Sequence, residues 1–135
     1  MTPTSQDEAG TVMAIERHLI MDNSGFKPII SRAVVHDGVV HLCGVTPDPV
    51  GDIVVQTRQT LERIDKLLAV AGTDKSKLLS AQVWLANMRL FRAHNLAWNE
   101  WVDADNPPVR ACVQAELFDP GLLVEIMITA ARWSR

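Results

Sequence analysis

Apolar positions alternate with a period of two in several short runs and recur at three- and four-residue spacing in two longer ones, so strands and amphipathic helices are both expected. Residues 1–12 carry no such pattern and read as a flexible N-terminal tail, which leaves 13–135 as one domain. Ala14–Met21 fits a first strand, followed by the turn-rich segment DNSGFKP. Ile30–His36 and Val39–Val45 are β-rich runs joined by Asp37-Gly38, the dipeptide suited to a two-residue type I′ turn. That turn sets a register with His36 opposite Val39, Val34 opposite His41 and Arg32 opposite Cys43. One hairpin face is then Ala33, Val35, Val40 and Leu42, apolar throughout, while the other is mixed.

Asp52 is placed to cap a helix running to about Ala71, with Val54, Thr57, Leu61, Ile64 and Leu68 as its core-facing stripe and Gly72 just past its end. Leu79–Leu85 reads as a strand with Leu79, Ala81, Val83 and Leu85 on one face and Ser80, Gln82 and Trp84 on the other. A second helix is expected over Met88–Val102, with Phe91, His94, Trp98 and Trp101 on one stripe. Pro107-Pro108 ends it and launches an extended segment. Val109–Phe118 and Leu122–Ala131 then read as two strands around the turn Asp119-Pro120-Gly121. The order β-β-β-α-β-α-β-β predicts an α+β fold of two layers, a mostly antiparallel sheet with two helices on one face.

Composition narrows the class. With 47% hydrophobic and 21% charged residues, the 135-residue chain has the balance of a soluble globular domain. Its apolar runs fall short of the roughly 20 residues that span a bilayer, so no membrane is expected as a partner. The polar start MTPTSQDEAG lacks the basic and apolar regions of a secretory signal, which makes a cytoplasmic location the default. A net charge of −3 with scattered Lys and Arg argues against nucleic acid as a partner. Two cysteines, Cys43 and Cys112, make no disulfide framework.

Each strand has one clean apolar face suited to packing beneath the helices. The opposite face, as the alternation assigns it, mixes Arg32, Arg110 and Glu125 with Trp84, Met127, Val34 and both cysteines. Burial against copies of the same chain would cover such a surface. Arg110 stands in a small, apolar strand and is the residue type suited to gripping a carboxylate with two hydrogen bonds. Glu125 is isolated among aliphatics, where a carboxylate can have a raised pKa and hold or activate a water. From pattern alone the same two residues also fit a structural ion pair, or side chains pointing to solvent.

Other groups read more plainly. His36 and His41 flank the hairpin turn without a third convergent ligand, so no metal site is expected. His94 reads as a satisfied histidine at the core edge. Cys112 has no basic partner other than Arg110, and it and Cys43 read as packing thiols. The tryptophans read as packing residues, although Trp84 on the mixed face could line a pocket. No G-x-G-x-x-G or Walker A pattern is present, and no cofactor is expected.

The segments VVHDGVVHLCGV, GDIVVQTRQTLERIDKLLAVAG, LLSAQVWLANM and PPVRACVQAELFDPGLLVEIMITAAR resemble, in order and spacing, the Rid family (reactive intermediate deaminases, YjgF-like) over roughly residues 30–132. The resemblance implies a chorismate-mutase-like fold of the bacillus type. It implies a homotrimer with three sites at its interfaces and hydrolysis of 2-imino or 2-enamino acids to 2-keto acids and ammonia. Such imines arise when pyridoxal-phosphate enzymes eliminate from serine, threonine or cysteine. By position, Arg110 matches the arginine that binds the substrate carboxylate and Glu125 the glutamate that positions the hydrolytic water. Cys112 and Gly44 match pocket-lining positions. The chain departs from the best-known members: Ile30 falls near a common tyrosine, Cys43 replaces a frequent serine, and Arg32 falls where the residue is usually uncharged. These departures place it in a divergent, YoaB-like subgroup. A trimer that binds small carboxylates without turnover is the alternative. A ribonuclease role, attached to some relatives, is disfavoured by the acidic charge.

Overall fold

The hairpin turn at Asp37-Gly38 has positive φ at both residues, 49° and 77°, the type I′ geometry whose twist matches that of its strands. These strands, β2 (Ser31–His36) and β3 (Val39–Leu42), pair antiparallel with Val34 opposite His41 and His36 opposite Val39. The Cys43 amide donates to the Arg32 carbonyl at 2.9 Å, completing the expected register. The computed structural model describes residues 14–21 and 25–133; the tail expected over residues 1–12 lies outside them. The first strand, β1 (Glu16–Ile20), lies within the expected stretch and pairs with β2. It is tied down by Arg132, which donates to both Glu16 carboxylate oxygens at 2.9 Å.

Helix α1 (Ile53–Val70) starts at Asp52, whose Oδ1 accepts from the Val55 amide at 3.0 Å. It ends at Gly72, whose φ of +82° lets the Thr73 amide reach back to the Leu68 carbonyl. Thr57, Leu61, Ile64 and Leu68 are buried as expected, joined by Gln56 and Thr60, while Val54 is half-buried. A 3₁₀ turn at Lys75–Lys77 leads into β4 (Leu78–Leu85). Here the expected face is corrected at one residue. A register shift between Leu78 and Ser80 puts Leu78 in the core at 7% exposure and turns Leu79 out at 45%, because a bulge resets the alternation of side chains. The second helix likewise divides into a 3₁₀ turn at Met88–Leu90, capped by Asn87, and α2 (Phe91–Trp101).

The last two strands do not form the hairpin that the turn at 119–121 suggested. β5 (Val109–Gln114) is an edge strand lying parallel to β4, and β6 (Val124–Ala131) runs antiparallel between β3 and β4. The sheet order is β1-β2-β3-β6-β4-β5. A parallel pair needs a long crossover, which α2 supplies. Residues 115–123 then return the chain from the edge to the centre past the end of β4, where Ala115 donates to the Leu85 carbonyl and Ala86 to the Leu123 carbonyl. The buried Gln56 side chain fastens this return. Its amide donates to the Gly51 and Gly121 carbonyls at 3.1 and 3.0 Å, and its oxygen accepts from the Leu123 amide at 2.8 Å.

Both helices lie over one face of the sheet, where Val40, Leu42, Val83, Ile126 and Ile128 join Leu61, Ile64 and Leu68 in the core. The opposite face is open, with Val34, His41, Gln82, Trp84, Glu125, Met127 and Thr129 in register. β5 reverses the expected assignment of sides. Val109, Ala111 and Val113 pair with Ser80, Gln82 and Trp84 on the open face, with Val109 73% exposed. Arg110 and Cys112 pair with Ala81 and Val83 and share the helix side.

Candidate functional site

Arg110 reaches α2 from the edge strand. Its Nη1 donates to His94 Nε2 at 3.1 Å and its Nη2 to Asn95 Oδ1 at 2.6 Å. The guanidinium lies over the Trp98 ring at 5.0 Å and the Phe91 ring at 5.9 Å. Positions 91, 94, 95 and 98 fall three or four apart, so one helix face presents all four groups to the arginine. Arginine has only donors, so His94 Nε2 must accept, and its proton resides on Nδ1, 3.0 Å from the Thr57 hydroxyl. Burial, together with the Arg110 charge, pushes the His94 pKa down to about 4, so the ring is neutral at pH 7. Burial also pushes the guanidinium below its ordinary value. No carboxylate among the described residues pairs with Arg110, whereas Arg58, Arg63, Lys77 and Arg132 each have one. Cys112 lies two residues on; burial raises its thiol and the Arg110 charge only partly opposes this.

Glu125 belongs to a second cluster. The residues between the His41–Thr129 pair and the Val45–Ile126 bridge number three on the hairpin side and two on β6, which is a bulge at Leu42–Gly44. The Glu125 carboxylate fills the space where a side chain on Gly44 would stand. Burial pushes this carboxyl above its ordinary value. Trp84 is directly opposite Glu125 across the strand pair. The Cys43 thiol is raised by burial, with Arg32 pulling it down and Glu125 adding to the rise. Beside the bulge opens a cleft of about 660 Å³ whose walls include Ile30, Arg32, Cys43, Gly44, Arg63 and Lys66. Two of these cations are engaged, Arg63 with Asp48 and Lys66 with Glu62.

The sequence-derived site therefore divides in two. Arg32, Cys43, Gly44, Trp84 and Glu125 gather at the bulge, whereas Arg110 and Cys112 lie across the sheet. On β4, Arg110 registers with Ala81 and Glu125 with Trp84, so the two side chains lie three residues apart and on opposite faces. An ion pair between them within one chain is ruled out. Sequence reasoning missed Asn95. It placed Thr57 on the core-facing stripe and read His94 as a satisfied histidine at the core edge, and both are buried and hydrogen-bonded, but it gave neither a link to Arg110. The signal was two polar residues side by side, His94-Asn95, within an aromatic stripe. Among the described residues no cluster of three or more His, Cys, Asp or Glu side chains could hold a metal ion.

Residues 28–132 match the family described as Endoribonuclease L-PSP. The chain belongs to that family. A RutC family protein of Haemophilus ducreyi is 45% identical over 102 residues, which cover 75% of this chain and 87% of that protein. The RutC family protein YoaB of Escherichia coli is 42% identical over 101 residues, covering 75% and 89%. A crystal structure of a YjgF-family member from Neisseria meningitidis superposes with a TM-score of 0.82 at 35% identity, covering 92% of this chain and 99% of that one. A Rid-family protein of unknown function from Yersinia pestis gives 0.75 at 29%, covering 87% and 99%. Both the α+β chorismate-mutase-like fold and the YoaB-like kinship expected from the sequence are thereby met. No described helix is long and apolar enough to cross a membrane.

Proposed function

We propose that the protein hydrolyses reactive 2-imino and 2-enamino acids to 2-keto acids and ammonia, at sites formed between copies of a homotrimer. The observation that carries this reading is the placement of Arg110. It is half-buried on an edge strand, held by neutral partners, and no carboxylate among the described residues neutralises it. A cation so held is suited to a carboxylate from outside the chain. Its separation from Glu125 calls for a second copy to supply the other half. The exposed apolar side chains of the open face, among them Val109, Val113 and Met127, give copies a reason to associate.

In this site the Arg110 fork binds the substrate carboxylate and so fixes the position of the iminium carbon. Glu125, as carboxylate, accepts a proton from a water whose oxygen attacks that carbon. The C=N π electrons move to nitrogen and a tetrahedral carbinolamine forms. Glu125 returns its proton to the amine, and the C–N bond breaks with its electron pair going to nitrogen. The hydroxyl oxygen becomes the keto oxygen as its proton passes, through Glu125 or water, to the departing ammonia. Water and iminium are consumed, and keto acid and ammonium result. Cys112 and Cys43 stay as neutral thiols lining the site, consistent with the upward push on both.

The lining of the cleft, with Ile30, Arg32 and Cys43, favours a second reading in which the protein binds small carboxylates without turnover. An endoribonuclease role fits less well with a net charge of −3. The deciding experiment generates a 2-imino acid with an amino-acid oxidase in the presence of semicarbazide. Wild type is expected to lower the trapped fraction and Arg110→Ala is expected not to. Retained 2-keto acid binding with no effect on trapping would move the conclusion to the binding-only reading.

A further inference from the structure

The core beneath α2 contains a polar chain that the hydrolysis above does not use. Thr57 and His94 are both fully buried, at 0% exposure, and come from different helices. Thr57 sits on α1 and His94 on α2, and the pair lines up with Arg110 of β5 through contacts of 3.0 and 3.1 Å. Burying a histidine this deeply is costly unless both ring nitrogens are satisfied. Here they are, in one arrangement only: Nδ1–H donates to Thr57 and Nε2 accepts from the arginine. The arginine, which can only donate, fixes the tautomer, and the threonine hydroxyl accepts from the nitrogen that then carries the proton. With Asn95 accepting from Nη2 and the Trp98 ring beneath, two of the five guanidinium N–H groups are engaged toward α2. The others remain for a ligand.

We infer that His94 is a positioning residue, which holds Arg110 in one orientation so that its free donors meet the substrate carboxylate. This deepens the deaminase reading and rests on it for the identity of the ligand, but the hold on Arg110 can be measured without any ligand. A carboxylate anchor acts equally on bound substrate and transition state, so loosening it weakens binding rather than slowing chemistry.

The test uses His94→Leu, which removes the acceptor at similar size, and His94→Gln, whose side-chain oxygen can again accept near the Nε2 position. In the imine assay, His94→Leu should raise KM about tenfold with kcat changed less than about twofold, and His94→Gln should recover most of the loss. A purely structural role would instead lower the active fraction, and with it kcat, at unchanged KM. In parallel, ¹⁵N NMR of the guanidinium, assigned with Arg110→Lys, should show separate Nη1 and Nη2 signals in wild type that merge in His94→Leu. Wild type that does not hydrolyse imines overturns the deaminase reading, and the NMR arm still decides the role of His94. Merged signals in wild type, or signals and KM both unchanged in His94→Leu, would overturn the inference.

Discussion

The Glu125 carboxylate occupies the space that a side chain at position 44 would fill. Glycine at the bulge is thus what lets this acid lie against the backbone of the hairpin strand. Because the overlapping group is the end of a side chain, Gly44→Ala should fold, with Tm within about 3 °C of wild type, while the displaced acid loses its aim and kcat/KM falls about tenfold or more. Melting curves and the trapping assay check both halves.

As a base, Glu125 must be ionised. Burial raises its pKa above the ordinary carboxylate value, so kcat/KM should fall as pH drops through that raised value, earlier than an exposed glutamate would require. Glu125→Gln should lower kcat on the order of 100-fold and abolish that acid limb. A pH–rate profile that keeps the limb in the variant would assign it to another group.

His94 makes stability pH-dependent. Its pKa lies near 4 in the folded chain against 6.5 ordinarily, so between these values the unfolded chain binds a proton that the folded one does not. Stability should therefore decline as pH falls from about 6.5 to about 4, by on the order of 1–3 kcal/mol. Denaturant unfolding across this range should show the decline in wild type and a flatter curve in His94→Leu.

Gln56 satisfies three backbone groups of the segments it joins. Gln56→Leu keeps the volume and strands those groups, which should cost about 2–3 kcal/mol in chemical denaturation. Since the return segment leads into β6 and Glu125, activity should fall as well.

The local signals were legible where one short-range rule decided the outcome. Asp37-Gly38 specified its turn and register, Asp52 and Gly72 bounded α1, and the 3.6-residue stripe picked out Thr57, Leu61, Ile64 and Leu68. What sequence could not supply was pairing between distant strands. Val109–Gln114 alternates as a hairpin partner of β6 would, but its partner is β4, chosen by the crossover through α2. The side to which Arg110 points depends on that choice, so pattern placed it with Glu125 when it lies across the sheet. The bulges at Leu79 and at Leu42–Gly44 reset alternation in the same unreadable way. His94 and Asn95 were visible as polar residues in an aromatic stripe, but their meaning required the arginine opposite them.

The central claim is that imine hydrolysis needs Arg110 from one copy and Glu125 from another. It is tested most directly by co-expressing Arg110→Ala and Glu125→Gln chains, each inactive alone, and measuring imine hydrolysis by the purified mixed assembly. Random assembly in a closed ring should pair an intact arginine with an intact glutamate at about a quarter of the interfaces and restore about that share of the wild-type rate. A mixed assembly no faster than either parent would contradict the claim.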